Sequence, residues 1–163
     1  MRDLSAASLS SQALRAEQLG FESFFLPENH FASGALPEPL MLLASVAAAT
    51  SSIRLGTTSY LLPVRHPIAA AEQVAVLDQL CNGRVILGLG RGFAANMFTA
   101  FSVDSRQKRQ IFTTNLNLML RAWAGEAIEV DADKDPIEIH PLPVQRPHPE
   151  LWVAAFGPKA LAQ

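Results

Sequence analysis

Cysteine and charge are both scarce in this sequence. Its 163 residues include one cysteine, Cys81, so an internal disulfide and a cysteine-based metal cluster are both excluded. Charged residues make up 17% of the chain and the net charge is −2, which gives no electrostatic reason to expect a nucleic-acid partner. The one close basic group, Arg106, Lys108 and Arg109, is interpreted as the solvated face of a helix start. The histidines show no metal-ligand spacing, so we predict no metal.

Long apolar runs are missing as well. The longest run, residues 39–49, is too short to cross a bilayer and is interrupted by Ser45. The sequence also shows no secretory h-region. We therefore expect a cytoplasmic protein without a membrane partner, in which the lone thiol of Cys81 is a small packed group rather than a nucleophile.

What the sequence does contain is an alternation of strand and helix signals. Hydrophobic residues make up 49% of the chain, which suits one substantial core. Strands are predicted over residues 21–26, 53–62, 84–89 and 151–155, and the first three begin about one βαβ unit apart. Such an alternation implies parallel strands with right-handed crossovers. The fold class is therefore α/β, as either a barrel or a doubly wound sheet.

Helix signals fill the gaps between these strands. Leu14 and Leu19 mark a first helix, and prolines at positions 39 and 67 open two more. His66, directly before the second of these prolines, is expected to cap its helix. A further helix follows Ser105, with an apolar stripe that ends at Trp123.

The regular pattern ends after Trp123. Residues 124–149 combine the alternation of a short hairpin, from Ile128 to Ile139, with a proline-rich segment that must be extended and loop-like. We interpret residues 1–163 as a single incomplete domain with 124–149 as an insertion.

Polar, glycine-rich and basic residues gather where the predicted strands end. In parallel α/β folds these carboxyl ends meet at the edge where ligands bind. A histidine at such an edge can donate, accept or move a proton, although a single histidine can equally be structural. The residues at the strand ends are Glu28, Asn29 and His30; Thr58 and Ser59; Gly90, Arg91 and Phe93; and Phe156 and Gly157.

The glycines from Gly88 to Gly92 leave two interpretations open. They lack the third glycine of a dinucleotide fingerprint. Small residues would let a planar ring or a phosphate approach the backbone, with Arg91 offering a bidentate fork to the phosphate. Alternatively, the glycines relieve crowding inside a barrel, and Arg91 pairs with a carboxylate such as Glu28.

Four segments carry recognisable motifs, at residues 19–31, 53–67, 72–93 and 147–153. In this order they resemble the bacterial-luciferase-like, flavin-dependent monooxygenases, and they cover nearly the whole chain. The resemblance implies a partial (β/α)₈ barrel, with approximately strands two to five and their helices. We therefore expect either a fragment of a longer protein or two copies that complete each other.

The resemblance also implies a function. Reduced FMN, or a deazaflavin in some branches, would bind at the carboxyl ends of the strands. FMN members use oxygen to oxidise a small organic substrate, whereas deazaflavin members transfer hydride. A flavin reductase and a homodimeric or larger assembly are the expected partners, and a non-catalytic flavin-binding or decayed half-barrel is the alternative.

Individual roles are carried over by position. His30 and Asn29 are the catalytic candidates, beside the flavin ring with Glu28. The cofactor-binding candidates are Glu28, Thr58, Ser59, Gly90, Arg91, Phe93, Phe156 and Gly157. Among these, Thr58–Ser59 matches a non-proline cis peptide behind the ring, Arg91 is directed at the phosphate, and Phe156 and Gly157 begin the second half of the phosphate site.

The chain departs from the family pattern at two of these positions. Family members commonly read Glu-His-His where this chain reads Glu28-Asn29-His30. Asn29 can hydrogen-bond to a flavin or peroxide but cannot exchange a proton, so proton transfer would fall to His30, to water or to a residue outside this chain. At Phe156 an acidic or small polar residue is usual.

Overall fold

Strands and helices alternate along the part of the chain that the computed structural model describes, residues 5–155 and 157. The helices are α1 (Ala6–Gln18), α2 (Pro39–Ala49), α3 (Pro67–Leu80), α4 (Ala95–Ala100) and α5 (Lys108–Trp123), with a 3₁₀ turn over Leu62–Val64. The strands are β1 (Ser23–Leu26), β2 (Arg54–Thr57), β3 (Tyr60–Leu61), β4 (Val85–Gly90) and β5 (Glu150–Val153).

The strands form one parallel sheet. β1 pairs with β2, and β2 pairs with β4. β3 continues along the same side of β4 that β2 occupies, while β5 pairs with the other side. β2 and β3 are therefore two segments of one strand, and the order across the sheet is that of four neighbouring barrel strands. The predicted α/β class is confirmed.

The strand predicted over residues 53–62 is interrupted in its middle. Gly56 pairs with Ile86 and Tyr60 pairs with Leu89. Between these two pairs, the predicted strand has one residue more than β4. An extra residue on one strand is a bulge, which bends the strand and re-aims its side chains. The bulge contains the Thr58–Ser59 peptide bond, which is cis, as the resemblance implies.

The first predicted helix is confirmed as α1, in which Leu9 and Ala13 are buried, whereas Leu14 and the C-cap residue Leu19 are exposed. His66 occupies the N-cap position of α3, but its side chain makes no capping hydrogen bond. No described helix is long and apolar enough to span a membrane.

Helix α4 was not anticipated from the sequence. It is a single short helix of six residues, preceded by Ala94, whose side chain cannot cap it. Neither a capping residue nor a proline marks its start, so the usual helix signals are missing.

The helices cover the sheet and bury a core of mostly aliphatic side chains. Trp123 at the end of α5 is fully buried, and its indole Nε1 donates a hydrogen bond to the Ala71 carbonyl of α3 at 3.0 Å. Cys81 is also buried, as predicted for a small packed residue, and burial raises the pKa of its thiol. Trp123 and Cys81 thus place the ends of α5 and α3 in the same core.

The predicted hairpin in residues 124–149 is reduced to one antiparallel bridge between Ile128 and Ile137. The alternation does not continue as strands, since Val130 is exposed. This segment is instead held by Asp78 of α3. Its buried carboxylate accepts hydrogen bonds from the Gln145 backbone N–H at 2.9 Å and from the Gln145 side-chain amide at 2.8 Å.

A single carboxylate organises the turn that leads into β2. Glu17 at the end of α1 accepts hydrogen bonds on one oxygen from the backbone N–H groups of Ser51, Ser52 and Ile53, at 2.9, 2.6 and 2.8 Å. These bonds, led by that from Ile53, lower the pKa of Glu17 from 4.5 to about 2. The ionised carboxylate therefore joins α1 to the sheet.

We expect Glu17→Gln to lower the free energy of unfolding at neutral pH by about 1 kcal/mol, a figure reduced for the partial exposure of the side chain. Since the folded-state pKa is depressed from 4.5 to about 2, the stabilisation is present above about pH 4.5 and is lost as the pH falls towards about 2. Urea denaturation across this range should show the two proteins converging.

The control is Glu22→Gln, since Glu22 is exposed and its side chain accepts no hydrogen bond from the described residues. This variant should match the wild type throughout. A Glu17→Gln deficit that is just as large at the acidic end would show that the charge is not what stabilises the turn.

Candidate functional site

A cavity of about 850 Å³ opens where the strands end. Eight of the ten predicted site residues line it, namely Glu28, Asn29, His30, Thr58, Ser59, Gly90, Arg91 and Phe93. Gly157 is described but is not among the lining residues, and Phe156 lies outside the described part of the chain. Residues of α4, of the first turn of α5 and of β5 complete the wall. The sheet thus brings together residues that are far apart in sequence.

The floor of the cavity is the bulge between β2 and β3, lying directly against β4. A Cβ atom at position 88 would overlap the carbonyl oxygen of Thr57, and one at position 90 would overlap the side-chain oxygen of Ser59. The Thr57 hydroxyl also donates to the Gly88 carbonyl at 2.8 Å. Of the two interpretations of the glycines, the geometry supports relief of crowding for Gly88 and Gly90.

Glu28 is the central buried charge of the site. One of its oxygens lies 2.8 Å from His30 Nε2 and accepts a hydrogen bond from an Arg65 terminal nitrogen at 2.6 Å. Its other oxygen accepts from the Leu61 backbone N–H at 2.9 Å. Arg65 is therefore the cation that pairs with Glu28. The alternative stated from the sequence, in which Arg91 pairs with Glu28, is wrong.

Arg65 is the site residue that the sequence analysis missed. It follows the 3₁₀ turn, and its guanidinium joins Glu28 to Glu38, with the second contact also at 2.6 Å. Its guanidinium carbon Cζ lies 4.9 Å from the centre of the Tyr60 ring, in cation–π geometry. The available signal was a lone basic residue between a strand end and a helix start.

Burial and the neighbouring charges have opposite effects on the pKa of Arg65, which stacks on Tyr60. Burial works against the charge of Arg65, but Glu28 and Tyr60 raise its pKa above the ordinary value. Burial also raises the pKa of the Tyr60 phenol. Arg65 is consequently a permanent cation beside a neutral aromatic ring.

The two catalytic candidates are held differently. The Asn29 side-chain oxygen accepts a hydrogen bond from the Leu36 N–H at 2.8 Å, so it closes the loop after β1. The His30 side chain is only 5% exposed. Its ring lies 5.6 Å from the Phe31 ring and 5.0 Å from the Phe101 ring, centre to centre. His30 is thus a fixed imidazole on the cavity wall.

Basic groups gather on one side of the cavity. Arg91 lies after β4, and Lys108 and Arg109 lie in the first turn of α5. The Lys108 ammonium donates to the Gly92 carbonyl at 3.1 Å and lies 5.4 Å from the centre of the Phe98 ring. The interpretation of the basic group as a purely solvated face is wrong for Lys108, which is half-buried in the cavity wall.

Comparisons with known proteins point in one direction. A sequence model of the family described as luciferase-like monooxygenase matches residues 3–163. The alkanal monooxygenase alpha chain of Photorhabdus luminescens is 31% identical over 130 residues, which are 79% of this chain and 35% of that one.

Solved structures agree in fold. Monooxygenase RslO1 from Streptomyces bottropensis has a TM-score of 0.82 at 32% identity, covering 93% of this chain and 49% of that one. The oxygenating constituent of 3,6-diketocamphane monooxygenase from Pseudomonas putida, solved in complex with FMN, has a TM-score of 0.83 at 20% identity and covers 96% and 49%. The chain spans half or less of these proteins, and the predicted partial (β/α)₈ barrel is confirmed.

We expect Gly88→Ala to destabilise the protein by about 1–3 kcal/mol, because the added methyl group meets backbone that cannot move aside. Urea denaturation measures the loss. The control is Gly20→Ala, where the backbone has φ +82° but a Cβ would meet nothing within 4 Å, so only the cost of the backbone conformation is expected and the loss should be smaller than for Gly88→Ala. Equal or reversed costs would contradict the close approach of the bulge to β4.

Proposed function

The chain belongs to the luciferase-like monooxygenase family, and on this premise we propose that it forms the flavin-binding part of an FMN-dependent monooxygenase acting on a small organic molecule. The observation that carries the proposal is the cavity at the strand ends. It combines a tightly packed backbone floor, a fixed imidazole and a basic side.

The cavity fits a planar cofactor. Its volume of about 850 Å³ lies within the range of ligand sites in proteins. The absence of side chains at Gly88 and Gly90 lets the bulge lie close to β4, so no β4 side chain projects into the cavity from these two positions. Phe93 at the cavity edge is 93% exposed, so its ring is available to pack against a bound ring system.

The basic side fits the cofactor phosphate. Arg91 would hold it through a bidentate guanidinium contact, and Lys108 would add a second positive charge nearby. Gly157 and Phe156 remain predicted members of the phosphate site. The Glu28 carboxylate is paired with Arg65, which offsets part of its negative charge although Arg65 is shared with Glu38.

Reduced FMN, when bound, supplies the electrons with which oxygen is activated for transfer to the substrate. The residues of this chain orient that cofactor, keep water from its ring and place an imidazole beside it. His30 would exchange hydrogen bonds or a proton at this position, and the Asn29 amide would only donate a hydrogen bond. We further propose a flavin reductase as the source of reduced FMN, and a homodimer or larger assembly as the working form.

We expect the fluorescence of FMN to be quenched when FMN is titrated with the protein. Arg91→Gln should weaken FMN binding about tenfold or more, since a charge-assisted hydrogen bond contributes about 1.5–3 kcal/mol. Binding of riboflavin, which has no phosphate, should not change. The control is Arg106→Gln, since Arg106 is exposed and pairs with Asp104 at 2.8 Å.

Three outcomes would count against this proposal. They are the absence of FMN binding by the wild type, an equal loss of FMN and riboflavin affinity in Arg91→Gln, and binding of a deazaflavin in preference to FMN. The last outcome would favour the hydride-transfer branch of the family. Oxygen consumption with reductase-supplied reduced FMN then tests turnover.

A further inference from the structure

A buried polar network of Glu28, Arg65 and Glu38 ends at one imidazole, that of His30. We propose that Glu28 and Arg65 are positioning residues that hold His30 in a single tautomer, with the proton on Nε2 and with Nδ1 left as the hydrogen-bond acceptor for a bound ligand. The tautomer follows from the network itself. Only its use towards a ligand rests on the proposed function.

The first step is the state of Glu28. Its side chain is fully buried, and both of its oxygens receive hydrogen bonds, from Arg65 and from the Leu61 backbone N–H. Each oxygen thus already faces a donor, and the Arg65 guanidinium lies 2.6 Å from one of them, so Glu28 is the acceptor in these contacts. An ionised carboxylate accepts hydrogen bonds and donates none.

The second step follows from the contact with His30. Because Glu28 can only accept, the 2.8 Å contact between its oxygen and His30 Nε2 requires the imidazole to donate from Nε2. In the neutral ring, the nitrogen that is not protonated is then Nδ1. The carboxylate therefore decides which nitrogen of His30 keeps a lone pair.

The third step is the rigidity of the network. One terminal nitrogen of Arg65 contacts Glu28 and the Pro37 carbonyl, and the other contacts Glu38. Its remaining nitrogen, Nε, has no hydrogen-bond partner among the described residues, so the two carboxylate contacts dominate its placement. The Tyr60 ring lies against the guanidinium.

The fourth step concerns the ring. The Phe31 and Phe101 rings lie 5.6 and 5.0 Å from the His30 ring, centre to centre, and the His30 side chain is 5% exposed and lines the cavity. A ring flip that exchanged the two nitrogens would break the bond to Glu28 and disturb both aromatic contacts. A ligand in the cavity therefore meets an acceptor at His30, and it must present a hydroxyl or N–H group there.

The test uses the ¹⁵N-labelled 163-residue chain without flavin. Long-range ¹H–¹⁵N correlation spectra distinguish the two neutral tautomers, because a protonated and an unprotonated ring nitrogen have widely separated shifts. His30→Gln assigns the signals. We expect the neutral His30 ring, at the alkaline end of the titration, to show a protonated Nε2 and an unprotonated Nδ1. A protonated Nδ1, or an averaged mixture, would overturn the proposal.

Variants then assign the cause. Arg65→Gln removes the cation from Glu28 and is expected to convert the single tautomer into a mixture, whereas Arg65→Lys retains a charge and should restore it. Arg54→Gln is the matched control, since Arg54 forms a 2.7 Å pair with Glu150 away from His30. A single tautomer in Arg65→Gln would exclude Arg65 from the role, and if this variant does not fold, the wild-type spectrum still decides the tautomer.

Glu28→Gln gives a second, opposite signal. An amide at this position can donate to Nε2, so the protonated-Nδ1 form should appear. Adding FMN to each sample separates this inference from the proposed function. The expected tautomer without FMN binding would contradict only the proposed function, and FMN binding with the other tautomer would contradict only the positioning role.

Discussion

The contact between the bulge and β4 is the constraint on which the site depends. Thr57 and Ser59 lie so close to the neighbouring strand that positions 88 and 90 have no room for a side chain. The extra residue of the bulge moves the end of this strand towards the cavity, and it also sets the register of Tyr60 and Leu61 against β4. The floor of the cavity and the placement of Leu61 are thus fixed together.

The placement of Leu61 leads to the second organising interaction. The Leu61 N–H donates a hydrogen bond to Glu28, so this bond connects the bulge to the network of Glu28 and Arg65. Glu28 comes from the loop after β1, while Arg65 comes from the turn after β3. A change in the bulge would therefore reach His30 through two hydrogen bonds. Burial makes each of these bonds costly to leave unmade.

The sheet has barrel strands but is open along two edges among the described residues. β1 and β5 each pair with one neighbour only. Trp152 of β5 is 47% exposed although it stacks on Phe25 of β1, with ring centres 5.2 Å apart. Arg54 and Glu150 form an ion pair that is partly exposed at the same sheet.

Periodicity and punctuation in the sequence were sufficient for the α/β class and for the edge where a site was expected, because strand and helix signals are local and parallel strands end together. The choice of a barrel over a doubly wound sheet came from the family resemblance. The prolines at positions 39 and 67 are the first residues of α2 and α3, as the sequence predicted. Local pattern could not locate the interruption of residues 53–62, the buried side of α1 or helix α4, since each depends on which neighbour packs there.

The same division holds within the site. Glu28, His30 and Arg91 could be named from the sequence because strand ends are its recognisable landmarks. The tertiary structure alone decided that Arg65 rather than Arg91 pairs with Glu28, and that Lys108 enters the cavity wall. Pairing of charges depends on distances of a few ångströms between segments more than thirty residues apart, and such distances are set only when the strands, the bulge and the covering helices pack together.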